Sequence, residues 1–492
     1  MRTPPTHTVP CRCAFVGNVA ANPTLGIPPL TMNDGPQGFR DNEHPATTTA
    51  WPSGLTMAAS FDRAAMKEWG EGQGVEFFGK GANVQLGPGL CLARVPRNGR
   101  NFEYLSGEDP FLGATLVAPA IIGIQSKHVI ANAKHYLMNN QETNRGSVIE
   151  NIDERTRYEM YLPPFVGAID AGGTCRSTVT CHANPSHNHA NPSHNVTRSP
   201  VGSIMCSYNK IRAHADDDAL WSCENPTTLA GDLKTNSKFD GFVMSDWGAT
   251  HSTSIMAGLD IEMPSAQYMN ADAIKAGVAA GTITTAAIDD SVRRILYAMF
   301  KVGVMDQPAS AWHWSKLAAN VTTEASVASA RRLSAATTVL LKNDDEVLPI
   351  KVSLHYVRTV TFLCESSSHF DSLPLTSLLS IQAGVHIAVI GFGDIGAVVH
   401  GGGSGSVAPS YVATPLAGIT NANIGGKVTF HNGTDLAAAV AAAKDADVAV
   451  VFVATLSHEG GDRASLSLDD GCVAVSFILF TAPHFMRILL TI

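Results

Sequence analysis

Gly241-Phe242-Val243-Met244-Ser245-Asp246-Trp247 is the stretch on which the fold turns. A short apolar run passes straight into a carboxylate and a tryptophan. Such a run, bounded by a polar turn, reads as a buried strand of a parallel sheet. The pattern recurs upstream in Asn83-Val84-Gln85-Leu86, Val129-Ile130-Ala131 and Gly202-Ser203-Ile204-Met205, with helical patterns between the runs. This alternation predicts βα units. Residues able to do chemistry follow the same strands. Asp34 follows Pro28-Pro29-Leu30-Thr31-Met32, Lys134-His135 follow Val129-Ile130-Ala131, and Asp246-Trp247 follow Met244-Ser245. A β/α barrel builds its active site at the C-terminal ends of its strands, so these positions face one mouth. Any one of them alone reads more readily as a helix cap or turn residue. Together with Arg100 they describe a sugar pocket, in which carboxylates and cationic donors grip hydroxyls and an aromatic face packs on a pyranose.

Working outward, Ile288, Val292, Ile295, Leu296, Met299 and Phe300 recur at helical spacing and predict an amphipathic helix closing a first domain over residues 1–305. Residues 306–335 read as a linker. A second βα region, 336–492, opens near Val339-Leu340-Leu341 and continues through Ile387-Ala388-Val389-Ile390, an alanine-rich helix from Asp435 to Lys444, and the strand Val448 to Val453. Two segments read as insertions. About residues 176–200 lies a tandem heptapeptide, His182 to Asn188 repeated as His189 to Asn195; about 354–386 lies a Ser/Leu-rich stretch without a period. No carboxylate or thiol cluster completes a metal set around the four histidines of the repeat.

Charge and cysteine usage exclude some classes. The 492 residues carry 34 Lys+Arg against 43 Asp+Glu, a net charge of -9, with no basic run to meet nucleic acid. The nine cysteines form no CxxC pair. Met1 to Pro5 lacks the apolar core of a secretory signal, and the apolar end, Val473 to Ile492, is broken by Pro483, His484 and Arg487, so no membrane partner is expected. Gly391-Phe-Gly393-Asp-Ile-Gly396 matches a dinucleotide fingerprint. However, glycines 401–403 and 405 break any helix soon after it, and no acidic residue occurs between Asp394 and Asp435. Glycines after a strand more often let the backbone approach another element closely.

Asn33-Asp34-Gly35-Pro36-Gln37-Gly38, Gly99-Arg100-Asn101-Phe102-Glu103, Ala133-Lys134-His135-Tyr136, Met205-Cys206-Ser207-Tyr208-Asn209 and Met244-Ser245-Asp246-Trp247-Gly248-Ala249 occur in order. These blocks resemble the signatures of family-3 glycoside hydrolases of the β-glucosidase type. Gly401 to Ser406 and Ser457-His-Glu459-Gly-Gly-Asp-Arg463 are similar to that family's C-terminal domain. The resemblance implies a (β/α)8-type TIM barrel followed by an α/β sandwich. The sandwich is incomplete here, because the likeness stops after Asp470. It implies Asp246 as catalytic nucleophile and Glu459 as general acid/base, with Asp462 and Glu103 as fallbacks. Asp34, Arg100, Lys134, His135, Met205, Tyr208 and Trp247 match positions that hold the non-reducing sugar.

The implied partner is a small oligosaccharide or β-glucoside, and the implied activity is a retaining exo-β-glucosidase, with β-xylosidase, a broad exo-β-glycosidase and an inactive carbohydrate-binding relative as alternatives. Retention needs two carboxyls about 5–5.5 Å apart, one ionised and one protonated, and no metal or organic cofactor. Neighbouring cations are expected to keep Asp246 ionised, and burial to keep Glu459 protonated. The resemblance also implies a Cys206–Cys223 disulfide and an extracellular or vacuolar/lysosomal setting. In that setting Asn195, Asn320 and Asn432 would accept glycans.

Overall fold

Strand pairing follows chain order. β1 (Gly17–Val19) runs antiparallel to β2 (Leu30–Asp34), and β3 (Val84–Leu86), β4 (Ile130–Tyr136), β5 (Ser203–Cys206) and β6 (Phe242–Ser245) then add in parallel, each beside its predecessor. The computed structural model describes residues 15–171, 199–343, 348–350, 385–394 and 397–466, and the backbone of 486–491. The tandem heptapeptide and most of the second insertion lie outside these residues.

The period-two alternation of the strands sorts their side chains onto two faces. Leu30, Met32, Val84, Leu86, Ile130, Met205, Phe242 and Met244 form one apolar cluster with Met263, the interior of the curled sheet. Ala131, Ala133, Ile204, Cys206 and Val243 point the other way, into a cluster with the surrounding helices. This is a TIM-barrel-like domain. Its curled sheet has six regular strands among the described residues, against the eight expected, and Ile149–Asn151, Lys210–Arg212 and Leu220–Trp221 pair in a separate three-stranded sheet. Past Ser245 the chain continues irregularly, with a single parallel bridge between Met244 and Ile261. The Trp247 indole N–H then donates to Val16 O at 3.1 Å, next to β1.

The helices start where short polar side chains accept their free N–H groups. Asp62 caps α1 (Arg63–Gly79) by accepting from Ala64 and Ala65, and α1 buries Met66, Trp69 and Phe77. Asp109, followed by Pro110 at the first position, opens α2 (Pro110–Gln125). α3 (Pro163–Ile169) packs on α2, and α4 (Ala271–Ala279) precedes α5 (Thr285–Val302), which ends at Gly303 with φ +81. α5 is the helix predicted from spacing, but its buried line differs. Ser291, Arg294, Ala298, Met299 and Val302 are buried, whereas Val292 and Phe300 are exposed. Arg294 fixes this rotation, because its Nη1 donates to Phe239 O and Gly241 O, just before β6. α6 (Glu324–Ala336) opens with a capping box between Thr323 and Ser326.

The chain packs as two units. The first takes in residues up to Thr338 together with two later loops, His400–Ser410 and Ser457–Ala464. The second carries a four-stranded parallel sheet of β7 (His386–Gly391), β8 (Lys427–His431), β9 (Val448–Val453) and β10 (Met486–Thr491), in the order β8-β7-β9-β10. Its helices are α7 (Pro415–Ala422) and α8 (Leu436–Asp445), and apolar clusters line both faces of the sheet. Val339, Leu340 and Leu341 form no strand. They are exposed, and among the described residues no strand pairs with them. The glycine fingerprint carries no dinucleotide-type helix either. Among the described residues between Gly391 and Pro415 the chain forms one short turn, Gly403–Gly405.

Candidate active site

A cavity of about 190 Å³ opens at the C-terminal end of the barrel strands. Its wall holds Asp34, Lys134, His135, Met205, Tyr208, Asp246, Trp247 and Glu459, all anticipated from the sequence, and also Val16, Arg40 and Ser404, which were not. Asp34 ends β2, Lys134 and His135 lie within β4 rather than after it, and Asp246 follows β6. A regular pleat would send adjacent Lys134 and His135 to opposite faces. The β4–β5 register shifts between Ala133 and Tyr136, and this irregularity lets both side chains reach the cavity.

Asp246 is buried. Its Oδ1 accepts the Trp247 backbone N–H at 2.8 Å. Oδ2 lies 3.4 Å from His135 Nε2, and the Tyr208 hydroxyl hydrogen-bonds to this carboxylate. Burial raises this carboxyl to about 6, against the opposing pull of Arg100 and Lys134. The cations expected to keep Asp246 ionised are present, but desolvation outweighs them. His135 is held neutral, its pKa pushed well down by burial and by Arg100, Lys134 and Arg145. Asn139 Nδ2 donates to the Tyr104 hydroxyl at 3.1 Å, and that hydroxyl lies 3.0 Å from His135 Nδ1, which orients the imidazole with Nε2 toward Asp246.

Glu459 departs from expectation more sharply. Its Oε1 accepts from Arg145 Nη1 at 2.9 Å and Arg100 Nη1 at 3.4 Å. Oε2 accepts the Ser404 backbone N–H at 2.9 Å and the Ser404 hydroxyl. Burial would raise its pKa, but Arg100, Ser404 and Arg145 together hold it well below the usual carboxylate range. In the empty site Glu459 is therefore ionised, not protonated.

Arg100, expected to touch the sugar, is not part of the cavity wall. It is buried and bidentate to Glu103 (Nε–Oε1 2.8 Å, Nη2–Oε2 3.1 Å), with Nη1 reaching Glu459. Arg145 has a comparable place. Nη1 bridges Glu142 Oε2 at 2.7 Å and Glu459, and the guanidinium stacks on Tyr208 with Cζ 4.2 Å from the ring centre. Arg40 donates to Asp34 Oδ2 at 2.9 Å, leaving that carboxylate raised by burial but paired. Lys134 Nζ lies 4.0 Å from Glu103 Oε2. No sequence run marks Arg40 or Arg145, because loops deliver both, and Ser404 lies in the Gly401 to Ser406 block without a role assigned to it there.

The glycines of the later loops are explained by close approach. A Cβ on Gly401 or Gly405 would fall 2.1 or 2.5 Å from the Phe102 ring, and one on Gly403, whose φ is +72, 2.4 Å from Glu459 Cβ. Among the described residues no group of three or more His, Cys, Asp or Glu could hold a metal, and no helix is long and apolar enough to cross a membrane.

Cys206 and Cys223 are joined in a disulfide that closes the loop bearing Tyr208. Replacing both by serine is expected to lower stability by about 3 kcal/mol in the chain-entropy model, read by denaturant unfolding beside a reduced wild-type control.

The family model "Glycosyl hydrolase family 3 N terminal domain" matches residues 16–195 and 186–298, and "Glycosyl hydrolase family 3 C-terminal domain" matches 367–476. The chain belongs to glycosyl hydrolase family 3. Its two N-terminal matches overlap over 186–195, inside the tandem heptapeptide. This family-3 chain is 33% identical over 478 residues to the probable β-glucosidase L of Aspergillus terreus, covering 92% of the chain and 57% of that relative. It is similar to the solved β-glucosidase of Chaetomella raphigera, with a TM-score of 0.75 and 30% identity over 97% of this chain and 63% of that one. DesR, a β-glucosidase from Streptomyces venezuelae solved in complex with D-glucose, gives a TM-score of 0.76 at 25% identity, over 97% of this chain and 68% of that one. The chain thus spans somewhat over half the length of the curated relative.

Proposed function

We propose that this chain removes terminal non-reducing β-D-glucosyl residues as a retaining exo-β-glucosidase. The observation that carries the reading is Asp246, a buried carboxylate on the wall of a cavity whose other carboxylates are paired with arginines, faced instead by His135 Nε2, 3.4 Å from Oδ2, and by Tyr208. A nucleophilic carboxylate has to be held in place without being tied up by a cation. The cavity is smaller than the roughly 300–1,000 Å³ typical of drug-sized ligands, which supports a single ring and exo action. Trp247, pinned by its indole N–H, is a fixed aromatic wall, while Asp34–Arg40, Lys134 and His135 supply acceptors and donors for hydroxyls.

In the first step Asp246 Oδ2 bonds to the anomeric carbon while the bond to the aglycone oxygen breaks, and that oxygen takes a proton from Glu459. In the second, water loses a proton to Glu459, its oxygen bonds to the anomeric carbon, and Asp246 leaves. The ionised Glu459 of the empty site is already the base for the second step. For the first it must gain a proton. Burial favours that proton, while Arg100, Ser404 and Arg145 oppose it. The names of the relatives support the glucosyl class, and the Cys206–Cys223 disulfide supports an oxidising, extracellular or vacuolar compartment.

The test is hydrolysis by the purified full chain of a chromogenic aryl β-glucoside beside the matching β-xyloside. The glucoside's kcat/KM is expected to be higher by about tenfold or more, since a site bonded to a hydroxymethyl group penalises its absence. Folded protein with no glucoside turnover, or with the xyloside preferred, would refute the assignment.

A further inference from the structure

We propose that Asp462 is a positioning residue, a latch that fixes the Glu459 loop against the two segments carrying Arg100 and Arg145. This rests on the acid/base reading of Glu459. Asp462 Oδ1 accepts the Glu142 backbone N–H at 2.8 Å and that of Gly99 at 3.2 Å, and Oδ2 accepts that of Thr143 at 2.8 Å. One carboxylate therefore satisfies three main-chain donors from segments more than 300 residues away in sequence. Those segments are not arbitrary. Gly99 precedes Arg100, and Glu142-Thr143 lead to Arg145, the two arginines that pair with Glu459. Only Gly460 and Gly461 separate Glu459 from Asp462, so holding Asp462 sets Glu459 in register with both cations at once.

Neighbouring contacts serve the same end. Gly460 N donates to Glu142 Oε2 at 2.7 Å, and Arg463 N donates to Arg97 O at 2.8 Å. At Gly99 the fit leaves no space, since a Cβ there would lie 1.9 Å from Gly461 O. The backbone beside Glu459 is permissive, since Gly460 sits at φ +92 and Gly461 follows, so its course is set by such contacts. Asp462 itself is no proton donor. Burial would raise its pKa, but the N–H groups of Glu142, Thr143 and Gly99 outweigh it and hold the carboxylate ionised.

The experiment compares Asp462→Ala, Asp462→Asn and Glu459→Ala in the full chain, on cellobiose and on 2,4-dinitrophenyl β-glucoside, with melting temperatures and labelling of Asp246 by a 2-fluoro glucoside inactivator. A misplacement of about 1 Å can cost about 100-fold, so Asp462→Ala is expected to lose about that on cellobiose. On the dinitrophenyl substrate, whose cleavage needs no proton, the loss in kcat/KM should stay within about threefold, with the labelling rate kept. Asparagine retains one acceptor oxygen but turns its amide N–H toward a backbone donor, so an intermediate loss is expected. Equal losses on both substrates, or no loss on either, would overturn the latch. If Glu459→Ala also fails to discriminate between the substrates, the acid/base reading beneath it falls. If Glu459→Ala discriminates and Asp462→Ala does not, the latch alone falls.

Discussion

Asp246→Asn is expected to lower kcat on aryl β-glucosides by about 10⁴-fold or more, close to 5.5 kcal/mol of barrier at 1.36 kcal/mol per decade. Asparagine keeps an oxygen for the Trp247 N–H at 2.8 Å, so the strand end is preserved. A neutral amide cannot form the glycosyl ester, and the chemistry is lost. Stability should move the opposite way. Burial raises the Asp246 carboxyl from 3.8 to about 6 in the folded chain. The folded state therefore favours the protonated form, and stability falls as pH rises from about 4 to about 6. Above that range Asp246→Asn is expected to be more stable than the wild type, by at most about 3 kcal/mol, with the gain vanishing below pH 4. The 2-fluoro glucoside inactivator should label Asp246 in the wild type. A label on another carboxylate, or a variant within about tenfold of wild-type turnover, would remove Asp246 from its role.

The two carboxyls also fix opposite pH profiles for two substrates. A glycoside that needs its leaving group protonated requires Asp246 ionised and Glu459 protonated, which is one proton shared over the pair. That total is populated below about 6, where Asp246 titrates, and down to the low pKa of Glu459. On cellobiose, kcat/KM should therefore fall above about pH 6. On 2,4-dinitrophenyl β-glucoside only ionised Asp246 is needed, and kcat/KM should rise through about pH 6 to a plateau. Profiles with no limb near 6 on either substrate would show that burial does not hold Asp246 up.

Much of the site was legible because barrel strands announce themselves. Short apolar runs place whatever follows at one mouth, and so Asp34, Lys134, His135 and Asp246 could be read one strand at a time, whereas Met205 came from the family resemblance. The glycines near residue 401 were legible as a close backbone approach, and Phe102 is what they approach. Arg40, Arg145 and the role of Ser404 were not legible, because a loop residue's destination depends on where the loop closes and no periodicity records that. Arg100 was read as a sugar contact because it sits in a signature block. Its place behind the cavity wall is set by Glu103, its bidentate partner three residues on. The protonation states were the least legible of all. Burial of Asp246 and the convergence of Arg145, Arg100 and Ser404 on Glu459 are products of tertiary packing, and they reverse what a list of nearby charges suggests. The spacing of α5 gave its existence but not its rotation, which Arg294 sets through the carbonyls before β6.

Glu459→Ala is expected to reduce kcat/KM on cellobiose by about 10³-fold, within the roughly 10²–10⁴ that general acid–base catalysis contributes. Cleavage of 2,4-dinitrophenyl β-glucoside should slow little, since dinitrophenolate leaves without a proton. Its steady-state turnover should still drop, because the glycosyl-enzyme then lacks a base to activate water, and a burst should appear. Azide needs no such base and fits where the carboxylate was, so it should restore turnover and yield β-glucosyl azide. The cellobiose profile supplies a second signature: its fall above about pH 6 depends on a proton stored on the pair, and removing Glu459 should abolish it. Equal slowing of both substrates without azide rescue would make Glu459 structural. The fallbacks named from the sequence would not inherit the role. Asp462 is occupied by three backbone N–H groups, and Glu103 is fully buried in its bidentate pair with Arg100. Glu142, raised by burial and with Oε1 unbonded, would then be the carboxyl to replace next. Its other oxygen already holds Arg145 and Gly460, so moving its proton would disturb the same network that orders Glu459. A leaving-group dependence seen in Glu142→Gln but absent from Glu459→Ala would transfer the assignment, and the reverse pattern would leave Glu142 as the counter-charge that keeps Arg145 in place.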